Sequence, residues 1–487
     1  MRAIKILLSF LIFFIINTSS FAQQPTYSAA IEERIKKVET SLGEAIKTDD
    51  NPLILQERMK LYGVPGLSIA VIKDYKIDWA RGYGFANKEK RNVVTPLTLF
   101  QAASISKSIN AVGVLRLVQN KKLDLDKDIN SYLTSWKFPY DTAKGKKIIT
   151  IKHLLSHTAG TSVHGFRGYA AGEKIPTLVQ ILNGEAPANS QPIRSMFDAG
   201  TKVQYSGGGI TISQLIVMDV TGQPYDVYMQ KNVLQPLGMK NSFYSIPPPV
   251  DKIGFLSTAY REDGNAVAGG YHSYPENAAA SLWTTPTELA NFIIEMQLAS
   301  TGKSKKLLDQ QVASLMLTPV MNDAALGVFI KTVGNERYFG HGGANEGFRS
   351  TYFGSEDGGN GVVVMVNSDN GTIMNEVVNS VATVYGWKDF YKPIVRKTIA
   401  VAPEVLDGYI GEYELAPEFK ITIRRDGTML LAKATNQPEI KLYAEEQNKF
   451  FVKEVEAKIE FVKDDAGKIS KLILHQNGQN MDGKKIK

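Results

Sequence analysis

The sequence predicts an α/β domain over residues 30–390, followed by a small all-β domain over residues 400–487. Two observations lead to this division. Strand-like runs at both ends of the first region are separated by a long stretch of helical patterns and loops, which indicates one sheet assembled from distant segments. Beyond the first region the helical patterns give way to short alternating runs punctuated by turn residues, which are typical of a barrel or a sandwich.

Residues 1–22 predict a secretory signal peptide that precedes the fold. Arg2 and Lys5 form a positive start, a nearly unbroken apolar stretch covers residues 6–16, and small residues follow at the positions that a signal peptidase reads. We expect cleavage after Ala22 and a periplasmic or secreted protein. The apolar run is shorter than the about 20 residues that a transmembrane helix needs, so we expect no stable membrane anchor.

The composition is that of a globular protein with a sizeable core, and it excludes several classes of function. Hydrophobic residues make up 43% of the 487 residues, and charged residues make up 22%. The absence of cysteine excludes disulfides, a lipidated cysteine, a cysteine nucleophile and cysteine metal sites. The formal charge of +7 is modest for this length, and no dense Lys/Arg run is interleaved with aromatic residues, so we expect no nucleic-acid partner.

Short patterns predict the elements of the α/β domain in chain order. Alternating charged and apolar residues predict a surface helix, and two strand-like runs joined by a polar tetrapeptide predict a hairpin. Strand signals return after a long helical region, and a last helix closes the domain. The predicted helices are Ile31–Leu42 and Asn375–Tyr385, and the predicted strands are Leu67–Ile72, Ile77–Gly82, Phe348–Phe353 and Val362–Val366.

The all-β domain follows a linker, residues 392–403, that is bracketed by prolines. Asp-Gly and Ala-Gly pairs mark turns between its short alternating runs. No motif in this domain can be assigned to chemistry, so we expect a barrel-like accessory. The predicted strands are Tyr409–Tyr413, Phe419–Arg424, Thr428–Leu431, Ile440–Tyr443, Phe450–Val455, Ile459–Lys463 and Lys468–Leu474.

Ser104 and Lys107 are the first candidate catalytic residues. They lie three positions apart at the start of a predicted helix, so they share one helical face. A serine hydroxyl is a poor nucleophile until a neighbouring base takes its proton, and a lysine can do so. The same spacing recurs at Ser300 and Lys303 in a polar stretch that we interpret as a loop, whereas an amphipathic pattern follows the first copy.

Two further motifs lie where a serine–lysine hydrolase needs them. Tyr205 opens a Y-x-G motif, and a phenol near a lysine can have its proton affinity lowered and shuttle a proton to a leaving group. The second motif is His341–Gly343, whose glycines allow close backbone approach by a substrate. The backbone N–H of Ala344 could then join that of Ser104 as an oxyanion hole.

The order and spacing of these motifs resemble the penicillin-recognising serine hydrolases, in the branch of class C β-lactamases, D-alanyl-D-alanine carboxypeptidases, D-aminopeptidases and related esterases. The phrases at 64–68, 151–160 and 281–285 are also similar to that family. The resemblance covers residues 30–390, and the tail resembles a β-barrel appendage of some members. It implies a β-lactamase/transpeptidase-like fold with a five-stranded antiparallel sheet flanked by helices, a small-molecule or peptide substrate, and neither metal nor organic cofactor.

The resemblance also implies a role for each motif residue. Ser104 corresponds to the acylated nucleophile and Lys107 to its activator. Tyr205 corresponds to the general acid/base, and His341 to a residue that supports the Tyr205 site and faces the substrate. These roles make the chain a serine hydrolase that works through an acyl-enzyme.

Two departures from the β-lactamase pattern bear on the substrate. Gly207 replaces an asparagine that contacts the acylamide side chain of a β-lactam, and His341 and Gly342 replace a lysine and a hydroxyl residue that bind its carboxylate. A histidine is only partly charged at neutral pH. We therefore expect an esterase or a peptidase for D-amino-acid amides or peptides, with Gly207, Gly342 and Gly343 at the substrate.

Several alternatives remain open from the sequence. The chain could be a class C-like β-lactamase or a D,D-carboxypeptidase, a catalytically silent protein that binds peptides or peptidoglycan, or a protein whose β domain does the main work by docking. His153 and His157 have the spacing of a metal pair, but without a third ligand a structural or capping role is favoured. His164, His272 and His475 are expected at the surface or in the core, and the oligomeric state stays open.

Overall fold

The computed structural model describes residues 24–48, 52–140, 147–437, 439–453, 456–476 and 478–487. The predicted signal peptide lies outside the described residues, as do Glu454 and Val455 at the end of a predicted strand. Within the described ranges, no helix combines the length and the apolar character needed to cross a membrane.

Helices and strands alternate irregularly in the first domain, and strands dominate the second. The α-helices of the described residues are α1 (Ala29–Glu39), α2 (Leu55–Leu61), α3 (Ser106–Gln119), α4 (Ile151–Leu155), α5 (Leu178–Asn183), α6 (Gly207–Thr221), α7 (Tyr225–Met229), α8 (Asn277–Ala280), α9 (Pro286–Ser300), α10 (Gln310–Met316), α11 (Thr372–Val384) and α12 (Pro403–Asp407). The strands are β1 (Ile46–Lys47), β2 (Gly66–Lys73), β3 (Lys76–Asn87), β4 (Asn92–Val93), β5 (Phe100–Gln101), β6 (Trp283–Thr284), β7 (Phe329–Val333), β8 (Glu336–Asn345), β9 (Phe348–Ser355), β10 (Gly361–Val366), β11 (Ile394–Val395), β12 (Gly411–Ala416), β13 (Phe419–Asp426), β14 (Met429–Ala434), β15 (Glu439–Ala444), β16 (Lys449–Val452), β17 (Ala457–Lys463), β18 (Ile469–Gln476) and β19 (Gln479–Lys485).

An antiparallel sheet with the order β4-β3-β2-β10-β9-β8-β7 forms the centre of the first domain. Strand β2, near the start of the domain, pairs along its length with β10, near the end. The prediction of one sheet assembled from distant segments is therefore confirmed. The described sheet has seven strands instead of the five that the resemblance implies, because β4 and β7 add short strands at its two edges.

Helices cover both faces of this sheet, which explains why β2 and β10 are apolar along nearly their whole length. On one face, α1 and α11 pack over Trp79, whose indole N–H donates a hydrogen bond to the Tyr385 hydroxyl (2.9 Å). On the other face, α9 and the long helical region surround the buried helix α3. Each fully buried Val, Leu or Ile side chain in these layers contributes about 1.5–3 kcal/mol to the stability of the folded state. This packing holds α3 in a fixed position against the sheet.

The second domain is a closed antiparallel barrel that runs from β12 to β19. Its last strand, Gln479–Lys485, was not predicted because its residues are almost all polar, yet it pairs with both β18 and β12 and so closes the barrel. The linker is partly ordered, since β11 pairs in parallel with β1. Lys453 of the barrel and Glu44 of the first domain form a salt bridge of 3.2 Å, and both side chains are nearly buried.

Candidate active site

A short 3₁₀ turn, Ala103–Ile105, leads directly into α3 and places Ser104 at the start of the helix. Lys107 lies one turn further on the same face. Its Nζ donates hydrogen bonds to Ser104 Oγ (2.9 Å) and to the backbone carbonyl of Ala279 (2.7 Å), which belongs to α8. The geometry predicted from the spacing of the serine and the lysine is therefore present.

Lys107 is almost fully buried, with 2% of its surface exposed. Burial disfavours the ammonium form and lowers the pKa of Lys107 to about 7. Its Nζ also lies 5.0 Å from the centre of the Tyr205 ring. At neutral pH a large fraction of Lys107 is consequently an uncharged amine, which can accept the proton of Ser104.

Tyr205 immediately precedes α6, where Ser206 acts as the N-cap and its Oγ accepts the N–H of Gly209 (2.9 Å). The Tyr205 hydroxyl is buried near Ser104 but makes no hydrogen bond of normal geometry within the described residues. Burial raises the pKa of Tyr205, and Ser104 opposes this rise only in part. The expectation of a lowered proton affinity is therefore wrong: desolvation dominates, and the phenol keeps its proton.

His341 lies in β8 and is also buried. Its Nδ1 lies 2.6 Å from the carbonyl oxygen of Gly342, so Nδ1 carries the proton and donates it, which leaves Nε2 as an acceptor without a partner among the described residues. Burial, and secondarily the charge of Lys107, lower the pKa of His341 to about 3. The imidazole is thus neutral rather than partly charged, and the third motif supplies no cation.

The edge of β8 beyond Gly340 is open. Strand β7 pairs with β8 only as far as Gly340, and the β8–β9 hairpin closes with the pair Asn345 and Phe348. Hydrogen-bonded and non-hydrogen-bonded pairs alternate along an antiparallel ladder, so the N–H groups of Gly342 and Ala344 point away from β9. Ser104, Gly342 and Ala344 line one cleft, and the oxyanion hole formed by the N–H groups of Ser104 and Ala344 stays a prediction.

The glycines at 342 and 343 differ in their surroundings. A Cβ at Gly343 would overlap the carbonyl oxygen of Ala102 and the hydroxyl of Ser350, so only glycine fits there. A Cβ at Gly342 would meet nothing closer than the Ser350 carbonyl, at 3.8 Å. Gly343 thus brings β8 against the turn that carries Ser104, while the missing hydroxyl at Gly342 has no steric cause.

A cleft of about 660 Å³ joins these groups. The predicted residues that line it are Ser104, Lys107, Tyr205, His341, Gly342, Gly343 and Ala344. Gly207 is not among the lining residues: its N–H donates to the carbonyl of His164 (2.9 Å), and a Cβ added to it would meet the Phe166 ring at 3.1 Å. The expectation that Gly207 contacts the substrate stays a prediction.

Sequence reasoning missed several residues of this cleft. His164, expected at the surface or in the core rather than as a catalytic residue, is exposed and lines the cleft with its ring 4.9 Å from that of Tyr205. Phe329 at the start of β7 lies 5.4 Å from the His341 ring, ring centre to ring centre. Met374 and Asn375, in the first turn of α11, also line the cleft. The only local signal for His164 was its position in a glycine-rich loop, and the others had none.

The two histidines with metal-pair spacing have separate tasks. His153 completes a capping box with Thr150 at the start of α4, since its Nδ1 accepts the Thr150 N–H (3.2 Å). His157 instead packs on the Tyr205 ring, with 4.3 Å between ring centres. Within the described ranges, no three His, Asp or Glu side chains are close enough to hold a metal ion.

Comparison with protein families identifies both domains. The Beta-lactamase family model matches residues 53–380, which is more than half of the chain. A second model, described as a domain of unknown function (DUF3471), matches residues 395–486 and thus includes the barrel.

Curated relatives and solved structures agree with the first match. Protein flp of Staphylococcus aureus (strain MW2) is 26% identical over 334 residues, which are 64% of this chain and 62% of that protein. The putative penicillin-binding protein PbpX of Bacillus subtilis (strain 168) is 24% identical over 48% of this chain and 55% of its own length. The chain therefore spans less than two thirds of the length of these curated relatives.

Two solved structures share the fold. An octameric penicillin-binding protein homologue from Pyrococcus abyssi has a TM-score of 0.58 and 21% identity, over 88% of this chain and 98% of its own. A D-amino acid amidase from Ochrobactrum anthropi SV3, complexed with L-phenylalanine, has a TM-score of 0.57 and 21% identity, over 74% of this chain and 99% of its own. Together with the family match, the motif order and the hydrogen-bonded serine–lysine pair, these findings show that the chain belongs to the Beta-lactamase family, the penicillin-recognising serine hydrolases.

Proposed function

We propose that this serine hydrolase is exported and cleaves an ester, or the amide or peptide bond of a D-amino acid, through an acyl-enzyme on Ser104. One observation carries the proposal. The only polar contacts of Lys107 among the described residues are Ser104 Oγ and one backbone carbonyl, and burial brings the pKa of Lys107 to about 7. A lysine in this state is a base poised for the neighbouring hydroxyl.

In the acylation step, the Lys107 amine takes the proton of Ser104 Oγ while the oxygen attacks the substrate carbonyl carbon. The N–H groups of Ser104 and Ala344 donate to the oxyanion that forms. The protonated Tyr205 phenol gives its proton to the leaving group as the carbon–heteroatom bond breaks, and the Lys107 ammonium returns a proton to Tyr205. In deacylation, water takes the place of the leaving group: its oxygen attacks the acyl carbon while its proton passes through Tyr205 to Lys107. Lys107 then returns a proton to Ser104 Oγ as that oxygen leaves, and the acid is released.

The uncharged third motif bears on the substrate class. His341 is uncharged and Gly342 has no hydroxyl, so the third motif supports no strong carboxylate binding. The open edge of β8 offers backbone N–H groups to an extended, peptide-like substrate. Both features favour esters and D-amino-acid amides over β-lactams, and the fold shared with a D-amino acid amidase is in keeping with this preference.

A substrate panel tests the proposal. Short-chain nitrophenyl esters, D-alanine amides and a chromogenic cephalosporin are compared on the wild type, on Ser104→Ala and on Ser300→Ala. The last variant is a matched control, because Ser300 belongs to the second S-x-x-K tetrad and ends α9 outside the cleft. We expect ester or amide turnover that is lost in Ser104→Ala and retained in Ser300→Ala. Turnover that survives in Ser104→Ala would contradict the proposal.

Export is proposed from the signal-peptide pattern alone. We expect the protein isolated from the periplasm or the medium to begin at Gln23, directly after the predicted cleavage site. Sequencing of its N-terminus checks this expectation, and a mature protein that retains Arg2 and Lys5 would contradict it.

A further inference from the structure

His157 holds the segment that carries Tyr205 at two backbone points. Its carbonyl oxygen accepts the N–H of Gln204 (2.8 Å), and its ring Nδ1 accepts the N–H of Ser206 (3.2 Å). The residues directly before and after Tyr205 are thus both bonded to this one histidine. A catalytic side chain whose two neighbours are fixed in this way has little freedom to shift.

The His157 ring adds a third contact. It lies against the Tyr205 ring with 4.3 Å between centres and a tilt of 33°. The Phe329 ring stacks on His157 at 5.9 Å and 12°. The Tyr205 phenol is therefore held by side-chain packing as well as through its backbone.

The hydrogen bond to Ser206 also fixes the chemical state of His157. Because Nδ1 accepts an N–H, the neutral ring must carry its proton on Nε2. Burial, and after it the charge of Lys107, hold the pKa of His157 well below its usual range. A protonated ring could not accept the Ser206 N–H, so the neutral state is the one that keeps the segment in place.

The backbone of His157 is held in a left-handed conformation. Its φ is +57°, a value that is uncommon for residues other than glycine. Such strained residues persist where the surroundings over-determine them, and they concentrate at active sites.

We propose that His157 is a positioning residue for Tyr205, which it holds in the orientation needed to protonate the leaving group. This inference rests on the proposed function, in which Tyr205 is the general acid. Positioning errors of about 1 Å can reduce a rate about a hundredfold, so a lost clamp has a measurable effect. The effect must depend on the leaving group, since nitrophenolate departs without a proton whereas an amine must receive one.

The test compares two substrates with the same acyl group, a D-alanine nitrophenyl ester and a D-alanine alkyl amide. His157→Phe keeps a stacking ring and removes the acceptor, whereas His157→Asn keeps an acceptor near the Nδ1 position and removes the ring. We expect kcat for the amide to fall by about tenfold or more in His157→Phe and by less in His157→Asn, while kcat for the ester changes less than about threefold.

The matched control is His153→Phe. Its Nδ1 also accepts a backbone N–H at 3.2 Å, but its ring does not contact Tyr205, so we expect an unchanged ratio of amide to ester turnover. A second measurement compares the double variant His157→Phe/Tyr205→Phe with the single variant Tyr205→Phe. If His157 acts through Tyr205, the two variants hydrolyse the amide at the same rate.

Equal losses for the ester and the amide, or a further loss in the Tyr205→Phe background, would overturn the positioning role. If His157→Phe does not fold, the same readouts apply to His157→Asn. Failure of the proposed function is recognised separately, because turnover would then survive in Ser104→Ala whatever the His157 variants do.

Discussion

Replacing Lys107 by methionine should abolish activity and at the same time stabilise the fold near neutral pH. Lowering the Lys107 pKa from 10.5 to about 7 corresponds to about 5 kcal/mol of unfavourable free energy in the folded state, at about 1.4 kcal/mol for each tenfold change in proton affinity. Methionine removes this term but leaves the Ala279 carbonyl without its donor, at a cost of about 1–3 kcal/mol. We therefore expect Lys107→Met to gain about 2–4 kcal/mol at pH 7.

The pH dependence separates this effect from ordinary repacking. Below pH 7 the lysine is protonated in both the folded and the unfolded state, so the wild type carries the full destabilisation. Between about pH 7 and 10.5 the unfolded state binds a proton that the folded state does not, so the stability of the wild type rises with pH. The advantage of Lys107→Met should shrink by about 1.4 kcal/mol per pH unit over this window, reach zero between about pH 8.4 and 9.9, and reverse at higher pH because the Ala279 carbonyl has lost its donor.

Denaturant unfolding followed by tryptophan fluorescence provides the assay. The four tryptophans, Trp79, Trp136, Trp283 and Trp387, all precede the linker, so their signal reports the hydrolase domain without the barrel. Measurements at pH 6, 7, 8 and 9 on wild type and Lys107→Met give the difference directly. A difference that stays constant across this range would refute the inference that burial makes Lys107 a base.

Three further outcomes follow from particular contacts. Gly343→Ala should lose at least about 1–3 kcal/mol of stability and most activity because its Cβ overlaps the Ala102 carbonyl, whereas Gly342→Ala should stay near the wild type in unfolding and turnover assays. Burial raises the pKa of Glu276 to about 8. Between pH 4.5 and 8 the folded protein binds a proton that the unfolded protein does not, so the stability of the wild type falls as the pH rises. Thermal melts should therefore show that Glu276→Gln becomes increasingly stabilising over that window. Lys453→Met removes the partly buried salt bridge between the barrel and Glu44 of the first domain, so limited proteolysis should release the barrel sooner than in the wild type. An unchanged rate of release would contradict a role of this salt bridge in holding the two domains together.

Elements with a strong local pattern could be predicted from the sequence. The β2–β3 hairpin follows from two alternating runs, and its turn residues Asp74 and Tyr75 adopt φ values of +53° and +60°, as a tight two-residue hairpin turn requires. The predicted helix Asn375–Tyr385 differs from α11 by three residues at its start and by one at its end. In each case the information lies within about ten neighbouring residues.

Elements defined by distant partners could not be predicted in this way. Strand β19 is polar along its length and exists because β18 and β12 each offer it an unpaired edge. The short strand β4 likewise depends on β3 for its pairing. Closure of a barrel and extension of a sheet edge are properties of the assembled fold, which no local pattern records.

The candidate site shows the same division. Ser104, Lys107, Tyr205 and His341 were identified by motif order, and the structure brings them to one cleft. The proton affinities of these residues depend on burial, which a motif does not record. The sequence therefore suggests a lowered pKa for Tyr205, whereas burial raises it. The contribution of Phe329 was invisible because a lone phenylalanine at a strand start carries no catalytic signature.

Trapping of the acyl-enzyme tests the central claim most directly. The protein is mixed with a fluorophosphonate and, separately, with a slowly hydrolysed D-amino-acid ester, and the modified peptide is located by mass spectrometry. We expect one adduct on the peptide that contains Ser104, present in Ser300→Ala and absent in Ser104→Ala. An adduct on another residue, or hydrolysis that continues in Ser104→Ala without any adduct, would contradict the assignment of Ser104 as the nucleophile.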